Sequence, residues 1–256
     1  MKILLVVVLV SVFAALGLAQ SASHNFDSAG FSKNLELANR FIECEFYTQL
    51  AMDKFSRSED VSAAEWFSYK ENKTWHTVAG NSTENTFKIT KHVTFDSLNN
   101  ISEYKGISDT ALLNAAASAF AEANTRFQLI RDTSNLYFNS FVNWNPDQTI
   151  SIWFLPAFQP SGQAIYGCEW EYIFDKTGRN LLRQNSFANI ITGVWIGQPR
   201  ELWLNYRNTD SPTVGSVFFA QSFRDYFTRI RIDTRTSTST VTKDSNGNYI
   251  WTHKMK

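Results

Sequence analysis

The chain is poor in the residues that build most catalytic and metal centres. Its 256 residues hold four histidines, His24, His76, His92 and His253, and two cysteines, Cys44 and Cys168. No histidine stands in the H-E-x-x-H spacing or beside a second ligand in sequence, so no metal site is expected. A G-x-S-x-G elbow is missing, which removes the commonest serine-hydrolase plan. Neither a P-loop nor a G-x-G-x-x-G turn is present, so nucleotides lack their usual cradle and no cofactor is expected. Excess charge is missing too, since 24 Lys and Arg face 24 Asp and Glu. Without a basic surplus there is little to drive binding to nucleic acid, and no such partner is expected.

One long apolar run exists, and it is N-terminal. Lys2 precedes residues 3–18, which are all apolar or small, and Gly17-Leu18-Ala19 supplies small residues for cleavage before Gln20. That layout predicts a signal peptide over residues 1–19 and a secreted or periplasmic protein. The run is shorter than the roughly 20 residues a spanning helix needs, and no later segment is long enough. No membrane span is therefore expected after cleavage. No Cys follows the run, so a lipid anchor is not expected either. The expected mature chain has 256 − 19 = 237 residues and, without Lys2, a formal charge of 23 − 24 = −1. It is large enough to bury a sizeable core.

What the chain has in quantity is aromatic side chains: 21 Phe, 9 Tyr and 8 Trp. That wealth suits packed sheets. Residues 20–31 read as a loose leader. A helix follows from an N-cap at Ser32 to about Phe55, with Leu37, Phe41, Cys44, Ala51 and Phe55 on one face. Strand patterns cover 65–69, 74–79 and 86–95, with Asn72-Lys73 as the first turn. Ser108-Asp109 opens a second helix to about Ile130, striped by Leu112, Ala116, Ala119, Phe120, Ala123, Phe127 and Ile130. Six alanines between 111 and 121 keep it thin enough to lie close on a sheet. Further strands are expected at 136–142, 149–155, 165–174, 181–191 and 201–206. Residues 213–226 favour a helix. A last hairpin, 228–241 with 248–253, turns at Asn246-Gly247.

The chain also resembles itself. At a shift of 79, Phe41, Glu43, Gln49, Leu50 and Asp53 meet Phe120, Glu122, Gln128, Leu129 and Asp132, five identities in 13 positions where about one is expected by chance. Trp75 meets Trp153 one residue out of step, and Phe95-Asp96 meets Phe174-Asp175. We read two copies of a helix-plus-three-strand unit, 32–106 and 107–256, the second extended by the C-terminal helix and hairpin. The predicted fold class is α+β, an antiparallel sheet with helices packed on one face. Two units joined edge to edge would leave the opposite face solvated, covered or used for binding, and the alternation in 86–95 favours solvation or binding there.

Candidate sites follow from the same patterns. Glu169 and Glu171 alternate with Trp170 and so share a strand face about 7 Å apart, a spacing that suits the acid and nucleophile of a glycosidase, or a calcium site. The alternative is a solvated face paired with Arg179 or Arg183. Arg229 and Arg231, with Arg235, are placed to grip an anionic group bidentately, or else form a charged outer face. Trp66, Trp75, Trp144, Trp153, Trp195 and Trp203 are candidate stacking platforms or core residues, with Trp153 the chosen binding candidate. Phe158 sits in a Pro-bracketed loop that ends a strand, where ligand residues gather. Cys44 and Cys168 both fall on apolar faces and are disulfide candidates in an exported chain. The leading expectation is an exported non-enzymatic binding protein that presents a sheet face or loop end to an extracellular or periplasmic protein or glycan. A secreted hydrolase acting on glycans through Glu169 and Glu171 is the alternative, and a purely structural module the third.

Overall fold

The computed structural model describes residues 25–55, 65–82, 86–197 and 200–256. The expected signal peptide and residues 20–24 of the expected leader lie outside the described residues, and Ser28–Phe31, read as leader, belong to a helix. Helix α1 spans Ser28–Phe55, α2 Thr110–Ser134 and α3 Val214–Phe223, the last followed by a 3₁₀ turn at Arg224–Tyr226. Four antiparallel strands follow α1: β1 (Glu65–Glu71), β2 (Thr74–Ser82), β3 (Phe87–Phe95) and β4 (Ile101–Glu103). Four more follow α2: β5 (Phe138–Trp144), β6 (Ile150–Pro156), β7 (Gln163–Phe174) and β8 (Leu181–Trp195). The remainder is β9 (Glu201–Tyr206), β10 (Arg229–Thr234), β11 (Ser237–Lys243) and β12 (Tyr249–Met255). The fold is α+β. Its strands form three four-stranded sheets, β1–β4, β5–β8 and β9–β12, in place of one broad sheet.

Local chemistry explains most boundaries. The carboxylate of Asp27 accepts the amide of Gly30 at 2.8 Å, so α1 starts at Ser28, four residues before the cap expected at Ser32. Ser32 instead donates its hydroxyl to the carbonyl of Ser28. Asn72 and Lys73 both have positive φ, 47° and 69°, which fits a tight two-residue hairpin between β1 and β2. Asp109 caps α2 through the amide of Leu112. The segment expected as one strand over 228–241 is two, β10 and β11. Its turn carries no Gly, Pro or Asn, and is closed by the Thr234 hydroxyl, which accepts from the amide of Ser237, and by Thr236, which donates to the carbonyl of Asp210.

The duplication shows loosely, in the order of elements. Each of the first two units runs helix and then four antiparallel strands. The third has α3 before β10–β12, with β9 parallel to β10 as its fourth strand. The last hairpin of each unit turns on one device. Asp96, Asp175 and Asp244 each accept backbone amides from their own loop, and each loop has one left-handed residue, Asn99, Gly178 or Gly247. Trp75 and Trp153 occupy the second strands of their sheets. Phe41, though, is fully buried while its counterpart Phe120 is half-buried.

Helix α1 lies against β1 and β2, α2 against strands of the second sheet and of the first, and α3 against α1 and β7. Along β6, Ile150, Ile152 and Phe154 face α2, where Phe127 stacks on Phe154 at 4.2 Å. The alternate residues Trp153 and Leu155 share the other core with α1 and α3, where Phe41 stacks on Phe141 at 4.5 Å. Every residue of β6 is buried. The expected free face therefore does not exist on the central sheet. Burying a Phe ring in this way stabilises by about 2–3 kcal/mol.

Candidate functional site

The carboxylate pair is placed first by a kink in β7. Gly167 and Cys168 both have positive φ, 86° and 52°, and the β7–β8 register slips there. A Cβ on Gly167 would lie 1.9 Å from the carbonyl oxygen of Ile190, so only glycine fits. Both carboxylates point to the α1–α3 face, as the alternation required, but they meet different surroundings. Glu169 is 1% exposed. It accepts from the Tyr206 hydroxyl at 2.6 Å, the Thr213 hydroxyl at 3.0 Å and the Gly215 amide at 3.1 Å. It thus anchors the start of α3, where a helix favours an anion. Gly215 is there because a Cβ would strike this carboxyl. Burial pushes the Glu169 carboxyl above its ordinary value, and its three donors pull the other way.

Glu171 is half-buried and opposite Trp153 across the β6–β7 ladder. It accepts from Ser151 at 3.0 Å and Asn185 at 2.7 Å. Glu171, Trp153 and Phe187 line a cleft of about 330 Å³ closed by Leu37 of α1 and Thr213. Glu169 does not reach that cleft. A two-carboxylate hydrolysis needs both groups at one substrate, and here one of them is sealed into the fold. Neither glutamate pairs with Arg179 or Arg183, whose pairing was the alternative expectation.

The arginines are already engaged. Arg229 and Arg231 straddle the one carboxylate of Glu201, at 2.9 and 3.5 Å, and Arg231 lies over the exposed ring of Trp203 at 4.5 Å. Arg235 pairs with Asp210. Arg229 and Arg231 lie on β10 of the third sheet, while Arg235, expected on the same strand face, lies in the turn after it. Cys44 and Cys168 are free and buried, so the candidate disulfide is not formed. Cys44 turns to the first sheet, where its thiol meets the carbonyl of Ser68, while Cys168 sits in the kink of the second. Burial pushes the Cys44 thiol up to about 12.

Phe158 lines a largely apolar cleft of about 470 Å³. Its loop is stiff. The buried Gln159 side chain accepts from the amide of Tyr137 and donates to the carbonyls of Tyr137 and Ala157. Gly162 turns the chain back at φ 85°. Phe158 is thereby held toward α3, 6.1 Å from Phe223. Ile42, Phe46, Phe218 and Tyr226 complete the apolar wall, and Phe46, Phe158 and Tyr226 are 47%, 48% and 51% exposed. Polar groups are few. Glu45 accepts from Asn139 at 2.9 Å, and partial desolvation raises its carboxyl above the ordinary value. The Ser222 hydroxyl on the groove wall is buried without a partner.

One cluster escaped the sequence reading. His76 on β2 and His92 on β3 meet at 3.0 Å between Nδ1 and Nε2, and His92 Nδ1 meets the Ser108 hydroxyl at 2.8 Å. Tyr69 stacks on His76, and Tyr104 packs on both imidazoles. Burial, and then the neighbouring His76, lower His92 to about 4. Two neutral rings thus fasten the loop before α2 to the first sheet. The signal was the alternation that put His92 on a polar strand face, a face that loop 104–108 covers.

Among the described residues no group of three or more His, Cys, Asp or Glu is placed to hold a metal ion. No described helix is long and apolar enough to cross a membrane. No family model, curated protein or solved structure matches the chain.

Proposed function

We propose that this is an exported binding protein, and that the groove beside Phe158 holds an apolar anchor of a protein partner. The observation that carries this reading is three half-exposed aromatic rings, Phe46, Phe158 and Tyr226, gathered on one concave apolar surface. Such patches mark interaction sites on proteins that otherwise cover their apolar surface. Aromatic anchors in a well-formed pocket contribute most of the affinity at protein interfaces. Glu45 at the rim suits a basic residue flanking that anchor. Export rests on the N-terminal layout alone.

Selection from a displayed random-peptide library tests the reading. Binders are expected to share a large apolar residue beside Lys or Arg. Phe158→Asp, which changes an exposed loop position, should weaken them by at least tenfold, about 1.4 kcal/mol, without changing the melting temperature. A library that yields only peptides indifferent to Phe158→Asp refutes it. So does a groove that takes apolar dyes and no peptide, since the occupant would then be a small molecule.

A further inference from the structure

The second sheet ends in an unguarded edge. Among the described residues β8 is the longest strand, with 15 residues, and it pairs with β7 alone. The other edges are short, charged or occupied. β4 has three residues, β1 and β5 lie beside each other, β12 carries the exposed Lys254, and β9 carries the exposed Glu201. Residues 184–196 hold no charge and no proline. Those are the residues that blunt an edge, whose bare backbone groups otherwise accept any extended chain.

The ladder fixes which groups are bare. An antiparallel residue turns its amide and carbonyl to one side, and that side alternates along the strand. The carbonyl oxygen of Ile190 points at Gly167 of β7. Ile191 and Gly193 therefore turn theirs away from the sheet. Trp195, in the same phase, does so too, and its carbonyl is reached by the Arg200 guanidinium at 3.4 Å. The Asn208 amide reaches the carbonyl of Phe187 at 3.4 Å. Those two side chains stop the edge at both ends. Between them no described residue bonds the outward groups of Ile191 or Gly193. The open stretch, 188–194, is about 23 Å long at roughly 3.3 Å a residue. A gap stopped at both ends suits a short extended segment better than the whole edge of a second sheet.

This edge also leads into the groove. Val194 and Ile196 turn to the α1–α3 core, and Ile196 forms part of the groove wall with Phe158. Ile191 and Trp195 lie on the other face, 50% and 60% exposed. We propose that the partner binds as an extended segment that pairs with β8 through the backbone of Ile191 and Gly193, and runs past Ile196 to seat its anchor beside Phe158. This inference rests on the groove being a peptide site. The paired part of the segment is uncharged, with apolar side chains at alternate positions to cover Ile191 and Trp195. Backbone pairing then supplies affinity, and the groove selects the side chain.

A peptide selected on the groove, added to the isotopically labelled protein, tests this by hydrogen exchange read by NMR. The Ile191 and Gly193 amides should exchange freely without peptide and at least tenfold more slowly with it. Methylating alternate backbone nitrogens of the peptide should cost at least tenfold in affinity in one of the two phases only. A peptide weakened by Phe158→Asp that leaves both amides unprotected overturns the β8 pairing and keeps the groove. So does a peptide that tolerates methylation in both phases. Peptides indifferent to Phe158→Asp remove both readings. Slow exchange of these amides in the free protein also overturns the pairing, since another segment of this chain or a second copy then holds the edge.

Discussion

Acidification should weaken the fold through the His76–His92 pair, by an amount that can be worked out. His92 titrates near 6.5 in an unfolded chain and is lowered to about 4 in the folded one, first by burial and then by His76. His76 is lowered as well, chiefly by burial, with Glu71 opposing. Tyr69, Glu71, Tyr104, Ser108 and Asp109 are the other polar or titratable groups around the pair. A depressed imidazole makes the unfolded state bind the proton first. Its stabilising effect is therefore full above pH 6.5 and is lost as the pH falls toward 4. The drop from 6.5 to about 4 corresponds to a ceiling of about 3 kcal/mol. The cluster borders the half-exposed Tyr104 and Ser108, so solvent screening brings this to about 1–2 kcal/mol. Urea unfolding followed by tryptophan fluorescence at pH 7, 5.5 and 4.5 measures it. Carboxylates also titrate in that range, so the readout is the difference between wild type and His92→Gln, which cannot titrate. That difference should shrink by about 1–2 kcal/mol from pH 7 to 4.5. A difference constant within about 0.5 kcal/mol would refute the reasoning.

Two further outcomes are expected. Gly178→Ala puts a Cβ 1.8 Å from the carbonyl oxygen of Ala115 at a residue with φ 71°, and should cost about 2–4 kcal/mol in the same urea assay; a cost below about 1 kcal/mol would mean that α2 does not sit so close. Neither Cys44 nor Cys168 should react with a thiol reagent in the native protein, and both should react after denaturation without reductant; a missing thiol would contradict their placement.

Much of the fold was legible because periodicity and turn chemistry are local. The two long helices, the Asn72-Lys73 hairpin, the strand at Glu201–Tyr206 and the α+β class follow from spacing and turn residues alone. The thin alanine run of α2 has its use at Gly178, where helix and loop backbones touch. The turn between β10 and β11 was not legible, because the backbone carbonyls of Thr209 and Asp210 and the Asp210 carboxylate hold it in place of Gly or Pro. The candidate site was half legible. Phe158 was marked by its Pro-bracketed loop, while Phe46 and Tyr226 reach the same groove from elements far away in sequence.

The amino-acid order by itself decided which residues face which side of their own helix or strand, since that depends only on a repeat of 3.6 or 2. It put Glu169 and Glu171 on one side of β7, and it put Trp153 on the side opposite Phe154. What lies against each side was decided only when the three sheets came together. Long-range packing sealed Glu169 under α3 and left Glu171 open beside Trp153. Those outcomes depend on contacts between segments tens of residues apart, which no local pattern encodes.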